Sequence, residues 1–303
     1  MLRALLAIRP LFFVVSLTAC LLGIAGAHAD GVEIRLVPVL LTLLLTAMIH
    51  AGGNILNDYY DYLSGADTLD PDGGLPPFTG GRRFIIPGKL SPAATRNLGY
   101  ALLVLVIPGG LWLTATSGTG VLLIGLIGIV LTWGYTAPPL KLIYRGLGEL
   151  TIATCWLLVT IGADYVHRHS FALTPVLTGL PYALLVAALL TINQFPDRQG
   201  DTLAGKRTLV VLLGPASAAA TYLLLALAAY IWVILMTDRG HFPQTAALAV
   251  LPCIATLAAA RHLHAHLDAP QALAPAIRLT ILAALAHGLT LSLILMLAAR
   301  QTT

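Results

Sequence analysis

The chain has 303 residues, 58% hydrophobic and only 10% charged, with a formal net charge of +4. Soluble domains carry about 25% charged residues and must still meet water on the outside, so this composition argues against a soluble domain and for a membrane protein. Cys20, Cys155 and Cys253 lie in apolar runs with no CxxC or CxxH spacing, which points away from a disulfide framework or a zinc site.

A spanning helix needs roughly 20 apolar residues. Nine stretches qualify: 10–28, 36–57, 97–116, 119–135, 147–164, 174–195, 209–236, 243–261 and 276–298. The first could pass for a cleaved leader ending at Ala27-His28-Ala29, or for a lipoprotein box at Leu17 to Cys20. Its length and the spans that follow favour a retained helix. Gly and Pro interrupt several stretches, which membrane helices tolerate. The expectation is an all-α polytopic bundle of nine transmembrane helices around a central cavity, one domain over residues 1–303.

Charge placement orients the bundle. With a cytoplasmic amino terminus, one set of loops takes Arg3, Arg9, Arg82, Arg83, Lys89, Arg96, Lys141, Arg145, Arg198, Lys206, Arg207, Arg261 and Arg278, which is 13 of the 17 basic residues. The opposite face takes Arg35, Arg168, Arg239 and Arg300. The positive-inside rule then places the amino terminus inside. The expected location is a bacterial or archaeal inner membrane, with the lipid bilayer as partner and no nucleic acid.

Seven of the 13 acids sit at two places on the same face: Asp58, Asp61, Asp67, Asp70 and Asp72 after the second span, and Asp197 and Asp201 after the sixth. The second span ends Asn54-Ile55-Leu56-Asn57-Asp58 and the sixth ends Asn193-Gln194-Phe195-Pro196-Asp197. Each pairs Asn with Asp four residues on, along one helical face. Four spans separate them, as a parallel internal repeat requires.

On a helix, Asn54, Asp58 and Asp61 share a face, and Asn57 with Asp61 forms a second four-apart pair. Clustered carboxylates need a compensating cation. Mg²⁺ suits them, because it takes one or two carboxylates and completes its shell with phosphate oxygens. Asp197 and Asp201 could hold a second Mg²⁺, with Lys206 and Arg207 neutralising phosphate. The plainer alternatives are a fraying acidic helix end and snorkelling interfacial Lys and Arg. A third segment, Tyr135 to Glu149, lies between the fourth and fifth spans on the same side. Its Lys141 and Arg145 are four apart and could meet a diphosphate, or could simply be positive-inside residues. Residues 68–90 carry Arg82, Arg83 and Lys89 and are long for a connection. A lid over the diphosphate and a disordered linker are the two readings. Among other polar residues, His50 is placed near the cavity, His287 is read as packed, and His262, His264 and His266 as a solvated loop.

These motifs resemble those of the UbiA superfamily of intramembrane prenyltransferases, along nearly the whole chain. The runs Asn57-Asp58-Tyr59-Tyr60-Asp61 with Gly65 and Asp67, and Gly205-Lys206-Arg207-Thr208-Leu209 with Gly214, are most similar to the menaquinone branch, which prenylates 1,4-dihydroxy-2-naphthoate. The resemblance implies nine spans and prenyl transfer from a prenyl diphosphate to a small aromatic acceptor. It implies that Asp58, Asp61, Asp197 and Asp201 hold Mg²⁺ and diphosphate, with Asn54, Asn57 and Asn193 beside them. Arg9, before Pro10, matches an Arg-Pro position at the cavity's polar end. The chain departs at Gly65, where many members carry a further Asp. Tyr59, Tyr60, Tyr62 or Tyr135 could stabilise an allylic cation with ring faces, although Tyr62 and Tyr144 also suit an interfacial belt. Prenylation of 4-hydroxybenzoate, other acceptors of the same fold, and a membrane transporter are the alternatives.

Overall fold

A computed structural model describes residues 13–66 and 90–298, and among these the protein is helical with no strands. The helices are α1 (Phe13–Ala29), α2 (Leu36–Ser64), α3 (Pro92–Ser117), α4 (Gly120–Gly134), α5 (Gly148–Arg168), α6 (Thr174–Leu203), α7 (Leu209–Leu213), α8 (Pro215–Asp238), α9 (Cys253–Ala265) and α10 (Ala274–Ala298). Among the described residues, seven helical segments are long and apolar enough to cross a membrane: α2, α3, α5, α6, α8, the segment Gln244–Ala265 that contains α9, and Pro270–Ala298 that contains α10. Helices α1 and α4 are apolar but shorter, at 17 and 15 residues.

Four expected boundaries are corrected. Helix α2 runs on from residue 57 to Ser64, because nothing in Asp58–Ser64 breaks it until Gly65. That residue takes φ 80, and its N–H donates to the Tyr62 carbonyl, a left-handed stop that glycine adopts without a Cβ penalty. Helix α6 continues from residue 195 to Leu203, straight through Pro196. A proline removes one backbone bond and crowds the preceding turn, but neighbouring helices in a membrane bundle can compensate for the freed carbonyl. The stretch 209–236 is not one helix: Gly214, at φ 76, separates α7 from α8, and Pro215 starts α8 with its φ already suited to a first turn. The stretch 243–261 opens as a 3₁₀ turn, Gln244–Val250, before α9. At the start of α3, Ser91 accepts a bond from the Ala94 N–H and Pro92 sits in the first turn.

Helix α6 is the inner post. Its apolar window is 78% buried, against 22–39% for the other six segments. It packs against α5, α8, α1 and α10, and Tyr182, Val186, Leu189 and Ile192 on it join the largest apolar core. Two buried tyrosine hydroxyls on that core are satisfied: Tyr182 donates to the Val15 carbonyl at 2.8 Å and Tyr222 bonds Thr280 at 2.8 Å. His287 Nδ1 lies 2.8 Å from the Ala249 carbonyl, so its role is packing, as the sequence suggests. The three-histidine tract is corrected: His262 and His264 lie in the last turn of α9, and the rings of His262 and His266 stack at 4.2 Å. His262 Nε2 also bonds the Ala272 carbonyl, which ties the chain before α10 to α9.

The two ends of the bundle differ. At the amino end of α2 and the carboxyl end of α5, Arg168 pairs with Asp164 and with Asp30, both at 2.7 Å. Thr174 donates to the same Asp30 carboxylate. This latch ties the α1–α2 and α5–α6 connections together. The acidic motifs gather at the opposite end, where α2 and α6 finish.

Candidate active site

Two local features build the site. Because α2 continues past its apolar stretch, Asp61 stays on helical geometry and is buried between its neighbours. Asn57, one turn earlier, donates from Nδ2 to Asp61 Oδ2 at 2.9 Å. On the other side, the chain leaving α6 turns back at once. The Lys206 N–H donates to the Asp201 carbonyl at 2.8 Å, and this directs the Lys206 side chain inward rather than to the surface.

The result is a three-part ion cluster. Lys206 Nζ lies 2.9 and 3.0 Å from the two Asp61 oxygens and 3.5 Å from Asp201 Oδ1. The three side chains are 7%, 11% and 5% exposed respectively. One carboxylate comes from α2 and the other from α6, so the lysine joins the two motifs. Burial alone would lower the Lys206 pKa, but Asp61, Asp201 and Tyr144 outweigh it and hold the ammonium well above its ordinary value.

Tyr144 is the fourth member. Its hydroxyl donates to Asp61 Oδ1 at 3.4 Å. Lys206 Nζ lies 5.6 Å from its ring centre and Lys141 Nζ lies 5.2 Å from it, both within cation–π reach. Burial first, and then Asp61, push its phenol up to about 12. The belt reading of Tyr144 is therefore replaced. Lys141 itself adopts φ 44, an uncommon conformation for a residue with a Cβ.

The cluster closes one end of a cavity of about 270 Å³. Asn57, Asp61, Asn193, Asp197, Asp201 and Lys206 line its charged end, and Asn54 and His50 continue along α2. Val15, Ile49, Ile152, Val186 and Leu189 supply apolar walls. His50 bonds Ser16 through Nδ1 and meets the Trp156 ring edge-on at 5.4 Å, so the expectation that it faces the cavity holds. Tyr135 also lines the cavity, and burial raises its phenol well above the usual range.

Other expected residues are placed differently. Asp58 is buried on α2 but does not line the cavity. Arg145 is exposed and donates to the Pro139 carbonyl at 2.8 Å. Its backbone forms an isolated parallel bridge with that of Arg207, also exposed. The two arginines therefore sit together near the mouth rather than inside. Tyr60 bonds Tyr100 at 2.8 Å and stacks edge-on with Tyr59. Neither ring lines the cavity, so both are corrected from cation-facing to packing residues. Arg9, Arg82, Arg83, Asp67 and all of 68–90 except Lys89's successor Leu90 lie outside the described residues.

Glu149 and Gln194 carry no role in the sequence reading. Glu149 Oε1 accepts from Thr191 at 3.2 Å and from Gln194 at 2.8 Å, and Gln194 Oε1 accepts from the Val210 N–H at 3.3 Å. This chain of bonds links α5, α6 and α7 behind the ion cluster. An acid inside an apolar span is a signal in itself, and Glu149 sits in the first turn of α5.

Among the described residues, no group of three or more His, Cys, Asp or Glu side chains could hold a metal ion. Mg²⁺ does not require one, since it binds through one or two carboxylates together with phosphate and water. Asp61 and Asp201 already converge on one cation, the Lys206 ammonium. Asn57 Oδ1 and Asn193 Oδ1, both on this cavity, are buried without a hydrogen-bond partner. Such acceptors suit metal-bound water, so the donor set fits Mg²⁺ carried with a diphosphate.

Comparison with known proteins gives the family. The model of the UbiA prenyltransferase family matches residues 15–282. The 1,4-dihydroxy-2-naphthoate octaprenyltransferase of Bacillus subtilis is 29% identical over 233 residues, covering 77% of this chain and 72% of the relative. The UbiA prenyltransferase domain-containing protein 1 of Mus musculus is 32% identical over 240 residues, covering 77% and 68%. Among solved structures, a UbiA homolog from Archaeoglobus fulgidus bound to DMAPP and Mg²⁺ superposes with a TM-score of 0.66 at 19% identity, covering 96% of this chain and 99% of the other.

Proposed function

Because the chain belongs to the UbiA prenyltransferase family and is a prenyltransferase, we propose that it transfers a polyprenyl group from a prenyl diphosphate to 1,4-dihydroxy-2-naphthoate, with Mg²⁺ as cofactor. The observation that carries the site is the meeting of Asp61 from α2 and Asp201 from α6 on one buried cation at the end of an apolar cavity. Relatives named for that acceptor support the choice of substrate, and prenylation of 4-hydroxybenzoate is the alternative.

In this reading α1 and α4 also cross the bilayer, giving nine spans around a central cavity. The motif end faces the cytoplasm, in keeping with the basic residues on that face. Bound Mg²⁺ would offset charge on the departing diphosphate. Asp61 and Asp201 would hold it, with Asp197 at the cavity wall and Asp58 behind Asp61. Asn57 and Asn193, whose Oδ1 atoms are buried on the cavity without a partner, would supply further acceptors beside it. Lys206 and Lys141 neutralise phosphate oxygens as negative charge develops there, the kind of electrostatic stabilisation that contributes most to many enzymes. Arg145 and Arg207 attract the anion at the mouth, and Arg9, Arg82 and Arg83 are assigned to substrate binding. The C–O bond of the prenyl diphosphate breaks and diphosphate leaves; a C–C bond forms to the acceptor ring, and the attacked carbon loses its proton, or its carboxylate as carbon dioxide, to restore aromaticity. The apolar walls keep water from the allylic carbon, and the Tyr135 ring faces the same space.

The test is transfer by purified protein in nanodiscs, with prenyl diphosphate and Mg²⁺, offered either acceptor. Product with 1,4-dihydroxy-2-naphthoate alone supports the reading. Product with 4-hydroxybenzoate alone moves the protein to the alternative, and product with neither sinks the aromatic acceptor.

A further inference from the structure

Lys206 has a feature that binding a phosphate does not require. A lysine kept only for an incoming anion would rest at the mouth, with its ammonium in water. This ammonium is withdrawn between two carboxylates, with both Asp61 oxygens and one Asp201 oxygen within 3.5 Å. It is also 7% exposed. It therefore occupies the oxygen lone pairs that a divalent cation would need.

A free divalent ion arriving alone must displace this ammonium. It then leaves a buried positive charge beside a doubly positive one, which opposes binding. A diphosphate changes the balance, because it offers the ammonium new oxygens of its own. Lysine is suited to such a move: its charge is compact, and its stem has four rotatable carbons. The Tyr144 ring, 5.6 Å away, gives the ammonium a second favourable surface close by.

We propose that Lys206 is a built-in counterion that makes metal binding conditional on diphosphate: it pairs Asp61 with Asp201 in the resting protein and yields them only when a diphosphate accepts its charge. This rests on the proposal that the same site takes Mg²⁺ with a prenyl diphosphate. The resting protein is thereby held with its two motifs together, and ordinary free Mg²⁺ does not fill the site ahead of substrate.

The experiment measures Mn²⁺ binding to the full chain in nanodiscs, by loss of the free-ion electron paramagnetic resonance signal, with and without inorganic diphosphate. The native protein is expected to bind Mn²⁺ weakly alone and tightly with diphosphate. Lys206→Met is expected to bind Mn²⁺ alone on the order of tenfold tighter or more, since one unit charge is removed beside a divalent ion. It is also expected to lose most of the gain from diphosphate. Lys206→Arg keeps the charge and is expected to keep the dependence. A second readout is the melting temperature: Mn²⁺ alone raises it for Lys206→Met and not for the native protein. Lys206→Gln serves in the same way should the Met variant not fold. Equal or weaker Mn²⁺ binding by the neutral variants overturns the counterion role, as does tight Mn²⁺ binding by the native protein without diphosphate. Absence of Mn²⁺ binding to the native protein even with diphosphate removes the metal–diphosphate reading itself, and the counterion role with it.

Discussion

Replacing Asp61 by asparagine isolates the charge of the ion cluster from its shape. The amide keeps the size of the side chain, but Lys206 loses a carboxylate that it meets at 2.9 and 3.0 Å. Its remaining partner is Asp201 at 3.5 Å. Breaking a buried pair by neutralising one member costs about 3–5 kcal/mol, because the other charge is left in poor surroundings. Asp201 remains, so the expected loss falls just below that range, about 2–3 kcal/mol. A chain of this size then melts roughly 4–10 °C lower. Cys20 is fully buried in the core between α1 and α2, so its labelling by a thiol-reactive dye on heating reports the loss of structure. Adding Lys206→Met to Asp61→Asn strands Asp201 in turn, but the two changes remove parts of one cluster, so the double variant should lose less than the sum of the two single losses. An unchanged melting temperature for Asp61→Asn refutes the account of the cluster. So does a double variant whose loss equals the sum of the two single losses.

Alkaline pH tests the same cluster from another side. Burial and Asp61 raise the Tyr144 phenol to about 12, and Asp61 with Asp201 holds the Lys206 ammonium above its ordinary value despite burial. Both folded groups keep protons that the unfolded chain releases near pH 10, so their contribution is full below that pH and is lost as pH rises towards 12 and beyond. Melting temperature should be level from pH 7 to about 9.5 and fall above it, more gently in Tyr144→Phe; a decline beginning near pH 8 contradicts this. Glu149→Ala should cost about 1–3 kcal/mol by stranding the Gln194 amide N–H, read as a lower melting temperature, whereas Glu149→Gln, which keeps an acceptor oxygen, should cost less. Gly214→Ala should lower stability by about 1 kcal/mol, because φ 76 is strained for alanine, measured by the same melting assay. Chelation by EDTA should abolish product formation and excess Mg²⁺ restore it; turnover that persists in EDTA argues against the metal.

Much of this was readable from residue spacing. The four-apart Asn57 and Asp61 do bond each other, and one acid from the end of each of two apolar stretches does meet the same lysine. Apolar run length also located the described helices except α7, which the stretch 209–236 merged with α8, since lipid-facing helices carry that signal along their whole length. The boundaries were less legible, because α2 and α6 continue as polar helices where hydropathy ends and only packing sustains them. Pro196 read as an end and is instead passed over. Lys206 read as a phosphate-neutralising or snorkelling lysine, and its inward course depends on the turn from Asp201, which spacing does not reveal. Tyr144 looked like one of many interfacial aromatics. Its place between Lys141, Lys206 and Asp61 depends on how the α4–α5 connection folds across α2, a long-range contact that no local pattern records. Glu149 lay in plain view as an acid opening an apolar span, a signal that was available and unused.

The most direct test of the central claim is prenyl transfer by the purified protein with Mg²⁺, prenyl diphosphate and 1,4-dihydroxy-2-naphthoate, run beside Asp61→Ala and Asp201→Ala. The account predicts product from the native protein and a loss of at least about 100-fold in both variants. Product formed at native rates by either variant would contradict the placing of catalysis at the junction of α2 and α6.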